Sequence, residues 1–106
     1  MDIIETMDSF KCLIDKAKEE ISEKLAKMFI VNGINDIKFD KVSYLREIPI
    51  LSDILVVTNV YLVNDEVFVN GYSAQSDETM TFNLKSLPFE SLQELVFMAQ
   101  VEIGKQ

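Results

Sequence analysis

The sequence predicts an α+β fold: a long N-terminal helix, a three- to four-stranded antiparallel meander and a C-terminal helix. Three observations carry that expectation. Apolar residues recur at helical spacing through residues 2–31. Between residues 37 and 84, β-branched and aromatic runs alternate with clusters of Asn, Asp and Gly. A second helical stripe follows Pro88. At 106 residues the chain has the length of one domain, so a single α+β domain over 1–106 is expected.

The first helix is written by Ile3, Met7, Phe10, Ile14, Ala17, Ile21, Leu25 and Met28, spaced three or four apart. Its other faces carry Glu5, Asp8, Asp15, Lys16, Glu19, Glu20, Glu23 and Lys27. Asp2 suits the N-cap, with Glu5 at capping-box spacing, and Asn32-Gly33 supplies a left-handed stop. A strict heptad would place Lys24 on the seam, whereas the pattern steps to Leu25, as a helix packed on a globular core would. Length is the difficulty. Thirty helical residues span about 45 Å, against a body roughly 33 Å across for a chain of this size. Either the helix breaks near Asp8-Ser9 or its first turns overhang. An overhanging Ile3, Ile4 and Met7 would require a partner, most simply a second copy of the chain.

Residues 37–46 read as a strand whose face switches near Asp40-Lys41, since Ile37 and Phe39 precede Val42 and Tyr44. Pro49 makes 47–53 a connector or an edge. Residues 54–63, "ILVVTNVYLV", are apolar on both alternating faces, which predicts a central strand covered on both sides. "NDE" at 64–66 and "SDE" at 76–78 are corners, and Asn70-Gly71 within the strand 66–75 is expected to be a bulge. In 79–84, Met80, Phe82 and Leu84 point inward, with Thr79, Thr81 and Asn83 outward. Pro88 then opens a helix in which Leu92, Leu95, Val96, Ala99 and Ile103 form a stripe. Phe89, Phe97, Met98 and Val101 extend its apolar surface beyond that stripe, as an interface would.

Function is argued largely by exclusion. The net charge is −8, and the eighteen acids and ten cations are dispersed. With a single arginine, Arg46, and no basic cluster, direct binding to nucleic acid or an anionic membrane is not expected. The acidic, spaced start does not resemble a secretory signal. One cysteine, Cys12, fits a reducing, cytoplasmic setting. Few Arg, Pro and Gly beside many Ile, Lys and Asn suit an AT-rich bacterial or phage gene. No histidine is present, which removes the commonest general base, the usual nucleophile systems and the usual zinc ligands.

Glu19, Glu20 and Glu23 are interleaved with Lys16, Lys24 and Lys27, the pattern of a solvated helix face. Asp65-Glu66 and Asp77-Glu78 could hold calcium only if two successive hairpin corners met, yet such corners lie at opposite ends of a sheet. Tyr44, Tyr61 and Tyr72 are ordinary strand residues that could also line a pocket. No catalytic residue, cofactor site or metal site is expected.

The leading expectation is therefore a small non-enzymatic protein-interaction module, homodimeric, using Ile3, Ile4, Met7, Phe89, Phe97, Met98 and Val101. The alternatives are an acidic inhibitor that mimics nucleic acid on a basic partner, and a small-molecule-binding protein.

Overall fold

The computed structural model describes residues 2–39, 46–50 and 53–105. Helix α1 runs unbroken over Ile3–Val31, so of the two ways out of the length problem the chain takes the overhang. Asp2 caps it, its carboxylate accepting from Ile4 N at 3.3 Å. The stop is built as the sequence indicates. Gly33 sits at φ +66°, a conformation that costs a residue without Cβ little. Gly33 N donates to Ile30 O at 3.1 Å and Ile34 N to Phe29 O at 2.9 Å, which closes the helix with paired return bonds. Ile34 and Phe29 are then both buried in the core.

The sheet is five-stranded and antiparallel: β1 Asp36–Lys38, β2 Arg46–Ile50, β3 Asp53–Val63, β4 Glu66–Ser73 and β5 Thr79–Asn83. β1 and β2 both pair with the same edge of β3, one at each end of it, and β4 and β5 continue on the other side. Pro49 sits in β2, which among the described residues pairs with β3 alone, and there its missing N–H costs no ladder bond. The face switch expected near Asp40-Lys41 lies outside the described residues. Asn64 and Asp65 take positive φ (51° and 64°) in the β3–β4 turn, the mirror-image turn that matches strand twist. The second corner carries Asp77 at φ 59°. A 3-10 turn, Leu84–Ser86, leads to helix α2, Phe89–Gly104, whose N-cap is Pro88.

Two expectations about the central strand are corrected together. The one-residue slip is not in β4 at Asn70-Gly71; the extra residue is Thr58 on β3, since Val57 pairs with Gly71 and Asn59 with Asn70. Alternation cannot say which strand of a pair carries a bulge. The slip also reverses parity along β3. Leu55, Val57, Val60 and Leu62 therefore share the core face, where they meet Leu25, Phe29, Leu92, Leu95 and Ala99 from the helices. The opposite face takes Ile54, Val56, Asn59, Tyr61 and Val63. Read without the slip, that mixture looks like two apolar faces. Among the described residues both helices join one core cluster on one side of the sheet, while Val56 on the other face is also buried, at 5% exposure. The other face is finished by its own cross-strand contacts. Asn59 donates to Asp36 at 3.0 Å, Thr81 donates to Asn70 at 2.8 Å, and the rings of Tyr61 and Phe68 stack at 5.8 Å.

Two polar anchors fix the helices to this sheet. The buried Ser91 Oγ donates to the Pro49 carbonyl, tying the start of α2 to β2. Lys18 Nζ donates to Leu87 O at 2.9 Å, which ties the middle of α1 to the segment entering α2.

Gly71 is the tightest point of the sheet. A Cβ there would lie 2.5 Å from Val56 O and 2.8 Å from Leu55 Cδ1, so backbone would have to move. Gly71→Ala is expected to destabilise the fold by about 2 kcal/mol, lowering Tm by roughly 10 °C. Thermal unfolding followed by circular dichroism checks this, and an unchanged Tm would contradict the packing described.

Candidate functional site

The free half of α1 is the most unusual surface of the molecule. From Met7 to Lys16 every residue is exposed, and burial begins only at Ala17 and Lys18. At 1.5 Å per residue, the segment from Ile3 to Lys16 projects about 21 Å without support from its own body. Its side chains are not those of a solvated helix. Ile3, Ile4, Met7, Phe10, Leu13 and Ile14 are exposed by amounts from 40% (Ile14) to 76% (Ile3). They gather on one side, while Glu5, Cys12 and Glu19 lie along the side opposite.

This stripe runs without interruption into a groove between the helices. Ile21, Lys24, Leu25 and Met28 of α1 face Gln93, Val96, Phe97 and Gln100 of α2 across about 330 Å³. α2 runs in the same direction as α1, since Leu87 lies beside Lys18 and Gln100 lies beside Met28. Phe97, 68% exposed, forms the outer lip of the groove, and Val101 follows one turn later at 39%.

Of the residues expected from the sequence to form an interface, Ile3, Ile4 and Met7 lie on the free half of α1, and Phe97 and Val101 lie on the outer side of α2. Phe89 is half-buried beside Pro49 and Pro88. Met98 is 3% exposed and belongs to the core. Phe10, Leu13 and Ile14 extend the surface beyond the residues first named. The helical spacing already contained Phe10 and Ile14; what it lacked was where the sheet stops.

The other candidate chemistries do not converge. Asp65-Glu66 and Asp77-Glu78 lie at opposite ends of β4, in the two hairpin corners. Glu66 is paired with Lys85 at 3.4 Å. Among the described residues no group of three or more carboxylate or thiol side chains is placed to hold a metal ion. A polar cleft of about 250 Å³ is lined by Ser22, Asp65, Glu66, Asn83 and Lys85. Ser22 Oγ is buried there without a hydrogen-bond partner. Tyr61 and Tyr72 lie half-buried on the face of the sheet away from the helices, and Tyr44 lies outside the described residues. Cys12 is exposed, on the side of α1 away from the stripe. Among the described residues no helix is long and apolar enough to cross a membrane.

Comparison of the chain with known protein families, with curated proteins and with solved structures returns no match in any of the three. The surface must therefore be read from its own geometry.

The neighbours Phe97 and Met98 test the division between surface and core. Phe97→Ser is expected to leave Tm within about 2 °C. Met98→Ala empties part of the core and is expected to cost about 2–3 kcal/mol, more than 8 °C in Tm. Equal shifts for the two would contradict the placement of α2.

Proposed function

We propose that the protein works by association with protein rather than by catalysis, and that its first partner is a second copy of itself. The observation that carries the reading is the free half of α1: an amphipathic segment whose apolar stripe stays exposed. A helical segment of this length has little stability in water unless its apolar face is packed. Contiguous apolar surface of this extent marks an interaction site far more often than a tolerated exposure.

Size supports the same reading. An exposed Ile, Leu, Met or Phe side chain presents on the order of 150–200 Å². At the exposures above, the six side chains offer roughly 600 Å² per copy, or about 1,200 Å² for a pair, where stable specific interfaces begin. The radius of gyration, 14.9 Å, exceeds the ~13 Å usual for a compact chain of about this length. The projecting helix accounts for the excess, because the extents are 50 × 36 × 22 Å. Among the described residues, the polar side chains brought together form a cleft with one ion pair, Lys85–Glu66, and hairpin corners set apart, which lends no support to acid–base or nucleophilic chemistry.

Sedimentation equilibrium at 10–100 μM is expected to give a mass near twice 12.1 kDa. Met7→Asp with Phe10→Asp is expected to return the monomer mass, with Tm of the body unchanged, because both positions lie outside the core. A wild-type chain that stays monomeric at 100 μM, or a double variant that stays dimeric, would overturn the proposal.

A further inference from the structure

We infer that two copies associate through the free halves of their α1 helices, antiparallel, about a two-fold axis that passes beside Cys12. The inference deepens the self-association reading and rests on it; what it adds is direction and register.

The first element is spacing. Ile3, Met7, Phe10, Ile14, Ala17 and Ile21 alternate steps of four and three, which is a coiled-coil seam of period 3.5. The seam ends there, because the next position is Lys24 and the chain moves instead to Leu25, which is buried in its own core. This six-residue seam maps onto itself in an antiparallel pair when paired positions sum to 24. Ile3 then meets the half-buried Ile21 of the other copy at the near end of its groove, Met7 meets Ala17, and Phe10 meets Ile14. Every seam residue finds a seam partner. Bulk is distributed evenly, since the small Ala17 faces the long Met7. Leu13, off the seam on one flank, falls near its own mate beside the axis, where its exposed side chain is covered. Shifting by one heptad in either direction loses this match. A sum of 31 brings Lys24 against Met7, and a sum of 17 leaves Ala17 and Ile21 without partners.

The second element is direction. From Ile21 onward α2 lies beside α1, with Gln93, Val96, Phe97 and Gln100 across the groove. A parallel mate would have to run through the space α2 occupies. An antiparallel mate places its own body alongside and beyond the first turns of the first helix, from about Thr6 outward, where no other described residue packs on α1.

Glu5, Cys12 and Glu19 are seven residues apart and stand on the outer side of the pair, opposite the seam. They make a ruler, with Cys12 as its natural midpoint. Spin labels are placed on Cys12 in the native chain and, in a Cys12→Ser chain, on Glu5→Cys or Glu19→Cys, and distances between copies are measured by double electron–electron resonance. In the proposed register the Cys12 labels stand level. Labels at positions 5 and 19 are offset along the axis by about 21 Å each. Positions 5 and 19 should give equal distances, both roughly 5–10 Å longer than Cys12. Three equal distances would mean parallel helices. Two equal distances, at Cys12 and one end position, with the other end position longer would mean a register shifted by one heptad. Either result overturns this inference and leaves self-association standing. Absence of dipolar coupling at all three positions at 100 μM overturns both.

Discussion

A helix of 29 residues is about 44 Å long, and the body it belongs to uses only its second half. That mismatch governs the rest of the molecule. Phe29, Leu25, Ala26 and Ser22 are buried, while nothing before Ala17 reaches the core. Lys18 marks the boundary, its ammonium group held by the Leu87 carbonyl. Below the boundary the helix has an interior to pack on. Above it, the same apolar periodicity continues into solvent. A sequence selected only for folding would be expected to turn polar at that point, as the second half does on its outer faces.

The sheet explains why both helices pack on one of its faces. The bulge at Thr58 rotates the second half of β3 so that all four of its aliphatic core positions face α1 and α2. Asn59, Tyr61 and Val63 turn to the other side, joined there by Phe68, Asn70, Tyr72 and Thr81. Asp36–Asn59, Asn70–Thr81 and the Tyr61–Phe68 stack tie these strands to one another across the surface. Gly71, opposite the bulge, makes the arrangement possible by letting the β3 backbone approach to a distance that any side chain would forbid. Among the described residues, most of the exposed large apolar side chains lie on α1 and the outer side of α2, with Ile54 and Val63 on the sheet.

Much of this was legible in the sequence, and the unread parts share a cause. The start and stop of α1, both hairpin corners, the inward side of β5 and the opening of α2 at Pro88 depend on local chemistry: caps, turns and periodicity. They were readable because a few neighbouring residues decide them. The bulge was misplaced because two paired strands with one residue too many look alike from sequence, whichever carries it. The same slip made β3 look apolar on both faces. The separation of Phe97 from Met98 was hidden because adjacent residues on an apolar helix differ only by a rotation that tertiary packing sets. The extent of the candidate surface was half visible. Ile3, Ile4 and Met7 could be named from the overhang argument, but Phe10, Leu13 and Ile14 depended on where along α1 the sheet begins.

The central claim is that the free half of α1 owes its stability to a partner of its own kind. Amide hydrogen exchange resolved along α1, measured across a dilution series, addresses it most directly. Residues 19–31 should be protected equally at every concentration, since their own body shields them. Residues 4–16 should be strongly protected at high concentration and lose that protection on dilution into the nanomolar range. Protection of residues 4–16 that does not change with concentration, whether high or absent throughout, would contradict the account.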